Sequence, residues 1–546
     1  MKTRKPWLKG TAGTIMLALL LSACSSGNAV NEPAGNGQNS DGNAGEQQSS
    51  NFNAEGYPIV NEKVTLKLAA FQSPSGKHMN DYLFYKEAEE KTNVRIEWEL
   101  NPGGSAWQEK KNLLFASGEL PEGFYGHGIL NEATDVVKYG SQGVLIPLEE
   151  LIELHAPNIK ALFDARPDYR KALTAPDGHI YALPTINEVY AVSKPALFIN
   201  KKWLDAVNMP LPETTDEFYQ ALKAFKEQDA NGNGKADEIP LTFRAEDWNS
   251  DLASFFGSFG RVDRRNHIVV EEDNVIYTAA QPEYKQAIEY FHTLFKDGIA
   301  DPESFTQDRK VFSAKISQND QVGAFIAWNY NSVGLPEDND FVPLAPLKGP
   351  EGHQQWAGFM PGILFKGSFS LTSAAEQPEV AIRWIDYMYD PEVSMQAVHG
   401  VIGPNLEEQA DGTYRVIPVP EGKTSDEFKE VPKTAMSVWA QTKEMQEKIV
   451  SENQQKLPKT ELDALYEPYL VYNEFPKAYF TAEEDSELSR YMTDIGTYTD
   501  KMYASWMLNG GIDKDWDGYL KKLEDMGLSK LIGVYQQAYD RYQAGE

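Results

Sequence analysis

The amino-acid sequence predicts an α/β fold, and the evidence begins with two alternating segments near its start. Apolar and polar residues alternate in 64–70 (VTLKLAA) and again in 94–100 (VRIEWEL), which is the pattern of a half-buried strand. The stretch between them, about 79–92, has a helical pattern. A strand–helix–strand order opens an α/β domain with a partly parallel sheet.

Later segments predict further helices and more than one hydrophobic core. Thr214 to Glu217 form a capping box, and apolar residues follow it at i, i+3, i+4 and i+7 spacing through Phe225. From about residue 484 the chain is helical and rich in aromatic residues. Roughly 490 folded residues predict two or more hydrophobic cores. Three tryptophans in periodic elements are predicted to lie in those cores: Trp98, Trp203 and Trp384.

The N-terminus has the layout of an export signal. Basic residues precede an apolar run from Ile15 to Leu21, which is shorter than the about 20 residues that span a bilayer. The sequence Leu21-Ser-Ala-Cys24 resembles the lipobox of bacterial lipoproteins, and Cys24 is the only cysteine. The resemblance implies removal of residues 1–23 and lipidation of Cys24. The alternative is an ordinary cleavable signal peptide.

Composition narrows the possible partners. The net charge is −30 and becomes −34 without residues 1–23, which carry four basic residues and no acids. Such a chain repels nucleic acid at long range, so no nucleic-acid partner is expected. After Cys24, residues 25–56 contain no Lys or Arg and one aromatic residue. Residues 24–56 are therefore predicted to be a lipidated cysteine with a disordered tether.

A calcium-binding turn is predicted at 229–238. Oxygen-bearing side chains at positions 1, 3 and 5 and Gly234 at position 6 match the first half of an EF-hand loop. Pro240 stands at position 12, so the bidentate glutamate of an EF-hand is absent. The alternative is a polar turn that binds nothing. The predicted ligands are Asp229, Asn231, Asn233, Asp237, Glu238 and the backbone carbonyl of Lys235.

Residues 229–241 (DANGNGKADEIPL) resemble the calcium-loop segment of family 1 extracellular solute-binding lipoproteins. These are receptors of carbohydrate ABC importers in Gram-positive bacteria, related to alginate- and maltose-binding proteins. The resemblance extends from about residue 58 to the end. Other similar segments are 86–93, 115–121 (with Glu122 where the family has Asp), 178–184, 197–204, 516–520 and 537–541.

The resemblance implies a two-lobed, class II periplasmic-binding-protein-like fold with a hinge and a central ligand cleft. The first lobe would comprise 57–186 and 345–398, and the second 187–344 and 399–546. It also implies a monomeric, lipid-anchored receptor on the outer face of the cell membrane. This receptor would capture an oligosaccharide and deliver it to ABC permease subunits. We expect a neutral or mildly acidic sugar, with Lys77 and Arg244 near candidate loops.

A sugar cleft needs aromatic faces and hydrogen-bonding side chains. Trp328 follows an apolar run at a predicted sheet rim, and similarity to maltose-binding protein implies that it stacks on sugar. Asn187 and Glu188 fall on the first crossover between lobes. Core packing is the alternative for every aromatic candidate, and for Trp439 the two are evenly balanced. The candidates are Trp328, Tyr330, Trp356, Trp248, Trp439, Asn187, Glu188, Phe71 and Gln72.

Catalytic residues are not predicted. The sequence has no HExxH, GxSxG or Walker A motif, and its eight histidines are scattered. Its many carboxylates leave a cell-surface carbohydrate-active enzyme as one alternative, and a calcium-dependent adhesin or sensor is another. An enzyme would consume an oligosaccharide, whereas a receptor would return it intact.

Overall fold

The computed structural model describes residues 51–545 except 73–76, 132–133, 190–192, 246, 319, 337, 434–436 and 451–457. The predicted signal peptide, Cys24 and most of the predicted tether lie outside these residues. Within the described ranges, no helix combines the length and apolar composition that a bilayer crossing requires.

Both α-helices and β-strands run through the whole described chain. The strands are β1 (Val64–Phe71), β2 (Val94–Asn101), β3 (Gly123–Tyr125), β4 (Leu183–Asn187), β5 (Ala196–Asn200), β6 (Ile239–Thr242), β7 (Ile268–Glu271), β8 (Asn274–Tyr277), β9 (Val322–Ala327), β10 (Phe341–Leu344), β11 (Trp356–Ala357), β12 (Gly362–Leu371), β13 (Leu406–Glu408), β14 (Tyr414–Val416), β15 (Ala440–Gln441), β16 (Ile449–Val450) and β17 (Leu470–Val471). The helices are α1 (Leu83–Thr92), α2 (Ser105–Ser117), α3 (Asp135–Ser141), α4 (Glu149–His155), α5 (Pro157–Ala165), α6 (Pro167–Leu173), α7 (Lys201–Ala206), α8 (Thr215–Glu227), α9 (Pro282–Lys296), α10 (Arg309–Gln318), α11 (Pro378–Met388), α12 (Pro391–His399), α13 (Ser425–Phe428), α14 (Lys443–Glu447), α15 (Pro458–Tyr466), α16 (Ala482–Asn509), α17 (Ile512–Asp525) and α18 (Leu528–Ala544).

The first lobe is built on a six-stranded sheet in the order β15-β4-β12-β3-β1-β2. Strand β1 runs parallel to β2 and β3, and β15 runs parallel to β4, which confirms the predicted strand–helix–strand opening. Only β12 runs antiparallel, between β3 and β4. Trp98 and Trp384 pack in this lobe's core, as predicted. The carboxyl ends of five strands therefore meet at one edge.

The second lobe is built on a four-stranded sheet in the order β10-β5-β9-β6. Strand β9 runs parallel to β6 and antiparallel to β5. Helix α8 begins with the predicted capping box, in which the Thr214 side chain accepts from the Glu217 N–H. Trp203 is fully buried in this core, and helices α16 to α18 supply the predicted helical end.

The lobe boundaries differ from the prediction. Residues 399–441 belong to the first lobe, because Ala440 of β15 pairs with Ile186 of β4 and Val401 lies in that lobe's core. Leu347 and Trp356 lie in the second core, so the return to the first lobe comes after them. The second lobe is entered again before Leu462, which packs in its core.

The end of the predicted tether is also ordered. The Asn53 N–H donates to the carbonyl of Ile59 at 2.8 Å. The buried guanidinium of Arg383 donates to the carbonyls of Asn53 and Gly56 at 3.0 and 2.8 Å. The ring of Phe52 packs edge-on against His155. These contacts fix residues 51–56 on the first lobe, so the tether prediction was wrong for them.

Candidate ligand-binding cleft

In both lobes, the sheet edge at which a ligand would be expected lies next to the segment that connects β4 to β5. In the first lobe, the carboxyl ends of β1, β3, β4 and β15 lie at one edge. Strand β4 leads through residues 188–195 into β5, whose first residue, Ala196, pairs with the last residue of β9, Ala327. Ligands of α/β proteins bind outside the carboxyl ends of strands. The candidate cleft is therefore the region flanked by these edges.

Three aromatic rings form a contiguous group on the second-lobe side, which we call the aromatic cluster: Trp248, Trp328 and Phe359. The Trp248 and Trp328 centroids are 5.6 Å apart, and those of Trp328 and Phe359 are 6.0 Å apart. Trp248 is 43% exposed, which is high for so large an apolar side chain. Partly exposed indole faces at a sheet rim can stack on the C–H face of a sugar.

Local hydrogen bonds hold the two tryptophan loops. Asn329 caps the short turn after Trp328, because its side chain accepts from the Ser332 N–H at 2.8 Å. In the loop after β6, Arg244 forms an ion pair with Asp247. The other oxygen of Asp247 accepts from the Asn249 N–H at 2.8 Å. Such side-chain-to-backbone bonds fix a turn without regular structure.

Glu188 is bound within the first lobe. Its Oε1 accepts from Arg166 at 2.6 Å and from the Tyr169 hydroxyl at 2.8 Å. Its Oε2 accepts from the Lys443 N–H at 3.3 Å. Asn187 is half-buried, and its side chain accepts from the backbone of the following loop. Glu188 is thus a positioned carboxylate whose oxygens already have partners.

The other sequence candidates are scattered. Trp356 is 1% exposed, and its indole N–H donates to the Pro195 carbonyl at 3.1 Å. Trp439 is 3% exposed in the first core. Both rings are closed to a ligand in this structure, because each packs in a hydrophobic core. Tyr330 and Phe71 are half-buried against their cores, and Gln72 is exposed at the end of β1.

Sequence reasoning missed Phe359 and Lys194. The Lys194 ammonium lies 3.4 Å from the Phe359 ring centroid, and burial lowers the pKa of Lys194 to about 8. Phe359 lies in Gly-Phe-Met-Pro-Gly, an aromatic residue in a turn-rich connection between the lobes. This position in a turn-rich connection could have identified Phe359 as a cleft candidate. No feature of the sequence around Lys194 would have identified that residue.

A second missed group lies on the first-lobe side. The ring of His127, which follows β3, stacks on Phe365 at 4.2 Å. Phe365 is 37% exposed. The His127 Nε2 lies 3.0 Å from the Thr185 hydroxyl, and burial lowers the pKa of His127 to about 4. The uncharged imidazole and the phenyl ring give this lobe an aromatic surface too.

The turn at 229–238 folds around its own carboxylates. Asp229 accepts from the N–H groups of Asn233 and Gly234, and Gly234 adopts the expected positive φ of 75°. The amides of Asn231 and Asn233 donate to Asp237 Oδ1 at 3.0 and 2.9 Å. These bonds lower the pKa of Asp237.

The residues of this turn fit a calcium ion in one further respect. Glu238 Oε1 is buried and has no hydrogen-bond partner among the described residues, a costly state for a carboxylate oxygen. Rotation of the two asparagine amides would add neutral oxygens to the carboxylates around it. In the described part of the chain, however, no three His, Cys, Asp or Glu side chains are already grouped for a metal.

Comparison with known proteins gives consistent results. The family model for bacterial extracellular solute-binding proteins matches residues 36–395. The fructooligosaccharide ABC transporter substrate-binding protein FusA of Streptococcus pneumoniae is 32% identical over 548 residues, 96% of each chain.

Solved structures agree. An EF-hand mutant of FusA in complex with fructo-nystose matches 88% of this chain and 100% of its own with 31% identity and a TM-score of 0.76. An HMO-binding, ABC-transporter-associated solute-binding protein of Bifidobacterium longum infantis covers 88% of this chain and 99% of its own, with 24% identity and a TM-score of 0.74, and supports the fold. FusA is thus a substrate-binding protein of an ABC transporter. With the two-lobed fold and the cleft described above, these matches show that the chain belongs to the family of bacterial extracellular solute-binding proteins.

Proposed function

We propose that this protein captures a fructooligosaccharide-type ligand outside the cell and delivers it to the permease subunits of an ABC importer. The observation that carries the proposal is the similarity to FusA over 96% of both chains. The aromatic cluster supports it, because its partly exposed rings lie at the carboxyl ends of strands, where ligands of α/β proteins bind.

A neutral ligand is favoured by the charges near the cleft. Lys77 and Arg244, the cations predicted near candidate loops, are paired with Glu430 and Asp247. Arg166 is bound to Asp168 and Glu188. A uronic ligand would have to compete with these carboxylates and approach a chain of net charge −30. An uncharged sugar neither competes with these carboxylates nor is repelled by the negative charge of the protein.

We further propose that Cys24 carries the lipid that holds the receptor beside its permease. The lipobox-like sequence Leu21-Ser-Ala-Cys24 supports this. A Cys24→Ala variant expressed in the native host should be released into the medium or retained with an uncut signal. Retention of a processed, membrane-bound form would contradict lipidation.

Calcium in the turn at 229–238 is also part of the proposal. The orphaned Glu238 Oε1 and the neighbouring carboxylates support it. The solved FusA complex is described as an EF-hand mutant, so that relative has an EF-hand. The ion would neutralise the turn and tie its oxygens together.

Isothermal titration calorimetry tests the ligand class. Residues 24–546 would be titrated with inulin-type fructooligosaccharides, malto-oligosaccharides and oligogalacturonides, and the sugars recovered and analysed afterwards. We expect binding of the fructooligosaccharides at one ligand per chain, with the sugar recovered intact. Binding of oligogalacturonides alone would overturn the neutral ligand, and hydrolysed sugar would overturn the receptor function.

A further inference from the structure

Two cavities in the second lobe lie along helix α16, and one of them has a lining residue in contact with the aromatic cluster. The first, about 450 Å³, is lined by Lys194 and by one face of helix α16. The second, about 350 Å³, is lined by Asp251 and continues along α16. Four residues line both cavities: Arg264, Arg265, His267 and Asp500. Because the two cavities share these four residues, we name them together the α16 groove.

The α16 groove meets the aromatic cluster at the first cavity. Lys194, in the wall of the first cavity, contacts the ring of Phe359. Asp251, in the wall of the second, lies three residues after Trp248 on the same loop. A ligand stacked on the cluster would thus reach the groove beside Lys194.

The floor of the groove is one stripe of α16. Ile495, Gly496, Asp500, Tyr503 and Ala504 line it. Gly496, Asp500 and Tyr503 are spaced by four and three residues and share one helix face, and Ile495 and Ala504 lie on either side of that face. A Cβ added at Gly496 would have no atom within 4 Å. The glycine therefore leaves free space in the middle of the stripe.

The walls combine apolar and polar groups in the manner of a sugar site. Ile268, Leu531, Phe256 and Phe305 give apolar surface in the two cavities. Lys194 and Asp251 supply hydrogen-bonding heads, and burial shifts the pKa of Lys194 down to about 8 and that of Asp251 up to about 7. Both groups are thereby brought toward partial charge near neutral pH.

The charges on the groove nearly balance. Acidic Asp251, Asp263, Asp500 and Glu474 stand against basic Lys194, Arg264 and Arg265, with His267 between them. The guanidinium of Arg264 is engaged with the carbonyls of Gly358 and Val471. In a chain of −30, a cavity without a dominant sign suits a neutral polyhydroxylated ligand.

We propose that the α16 groove is an additional carbohydrate subsite that takes the distal sugar residues of a longer oligosaccharide bound at the aromatic cluster. The inference rests on the proposed function and specifies its ligand: oligosaccharides long enough to extend past the cluster gain contacts that shorter ones lack. Affinity should therefore increase with chain length.

Filling the groove tests this inference. Gly496→Phe places a ring in the open space of the stripe, and Ala504→Phe does the same in the second cavity. Gly518→Phe is the matched control, because Gly518 is an exposed helical glycine on α17 with equally open space around an added Cβ. Arg265→Ala is a fourth variant, which removes an exposed side chain lining both cavities and does not rely on filling. Thermal unfolding by circular dichroism identifies the variants that keep the wild-type fold.

The readout is the dissociation constant for inulin-type tri-, tetra- and pentasaccharides, measured by calorimetry. We expect Gly496→Phe or Ala504→Phe to weaken pentasaccharide binding by about ten-fold and to leave the trisaccharide and the Gly518→Phe control within about two-fold. Equal weakening at all lengths, or none in any folded variant, would overturn the subsite. Failure of the wild-type protein to bind any of the three sugars would instead overturn the proposed function.

Discussion

Trp328 owes its position to the residues on either side of it. The fully buried strand β9 ends at Ala327, and Asn329 caps the next turn through its side chain. The indole is therefore held at the rim, half-buried, with Trp248 and Phe359 at its edges. A ring fixed in this way loses little entropy when a ligand stacks on it.

Trp328→Ala should reduce affinity for the oligosaccharide by roughly ten- to a hundred-fold, since the stacked face is removed. The melting temperature should fall by no more than it does in the Trp516→Ala control, because both rings are half-buried. Calorimetry and thermal unfolding measure the two effects.

Trp516→Ala is the control for loss of a half-buried tryptophan. Trp516 packs against Trp506 and Tyr519 among the C-terminal helices, away from the cluster. It should lower stability and leave affinity unchanged. Equal loss of affinity in both variants would contradict a direct role for Trp328.

Two buried histidines make the first lobe sensitive to acid. Burial lowers the pKa of His127 and of His399 from 6.5 to about 4. Between these values the unfolded chain binds protons that the folded protein does not. Stability is therefore full above pH 6.5 and falls as the pH decreases toward 4.

The double variant His127→Gln/His399→Gln should lose less stability than the wild type between these two pH values in urea unfolding experiments. His179→Gln is the control, because hydrogen bonding to Glu149 raises the pKa of His179. Its removal should leave the acid-induced loss in place or enlarge it. An unchanged pH profile in the double variant would contradict the assignment.

For single residues, sequence reasoning identified cleft candidates from their neighbours in the chain. It failed for residues whose burial depends on partners that are distant in the sequence. Trp248 and Trp328 were placed next to loops and do lie in one cluster. Trp356 also follows a polar loop, yet it starts β11, which pairs with β17 more than a hundred residues later. That pairing buries its ring, and nothing local in the sequence indicates it.

Among the elements, the turn at 229–238 is an unusually acidic connection between α8 and β6. Its carboxylates lie on the surface apart from the partner-free oxygen of Glu238. Without a cation these groups repel one another, and with one they would become its ligands.

Calcium should therefore raise the melting temperature of the wild-type protein, and chelation should lower it. Asp237→Asn and Glu238→Gln should abolish the difference. Differential scanning calorimetry with and without calcium measures it. Asp411→Asn, in an exposed Asp-Gly turn elsewhere in the chain, is the matched control and should retain the calcium response. A wild-type protein indifferent to calcium would contradict the site.

Elements that carry their own signal were predictable from the sequence. Alternation gave β1 and β2, and the capping box gave the start of α8. The two-residue strand β15 carries no such signal, because it is defined only by pairing with β4. Its absence from the sequence prediction moved residues 399–441 into the wrong lobe.

On the scale of the whole molecule, charge separates neutral from acidic ligands. At −30, long-range repulsion of an anion is screened by salt, whereas a neutral sugar feels none of it. The affinity for a fructooligosaccharide should change by less than about two-fold between about 20 and about 500 mM NaCl. Any residual oligogalacturonide binding should strengthen with salt. A neutral-ligand affinity that depends steeply on salt would contradict this prediction.

The antiparallel position of β12 has a consequence for the order in which the protein is made. Strand β4 gains its neighbours only from β12 and β15, which follow every strand of the second sheet in the chain. By the time Leu344 has left the ribosome, the four strands of the second sheet are all present, but the first sheet still lacks two. The lobe that begins the chain is thus the later one to close its sheet. Strand β4 and one edge of β3 stay unpaired for longer, which makes this lobe the one that most needs protection from aggregation during biosynthesis.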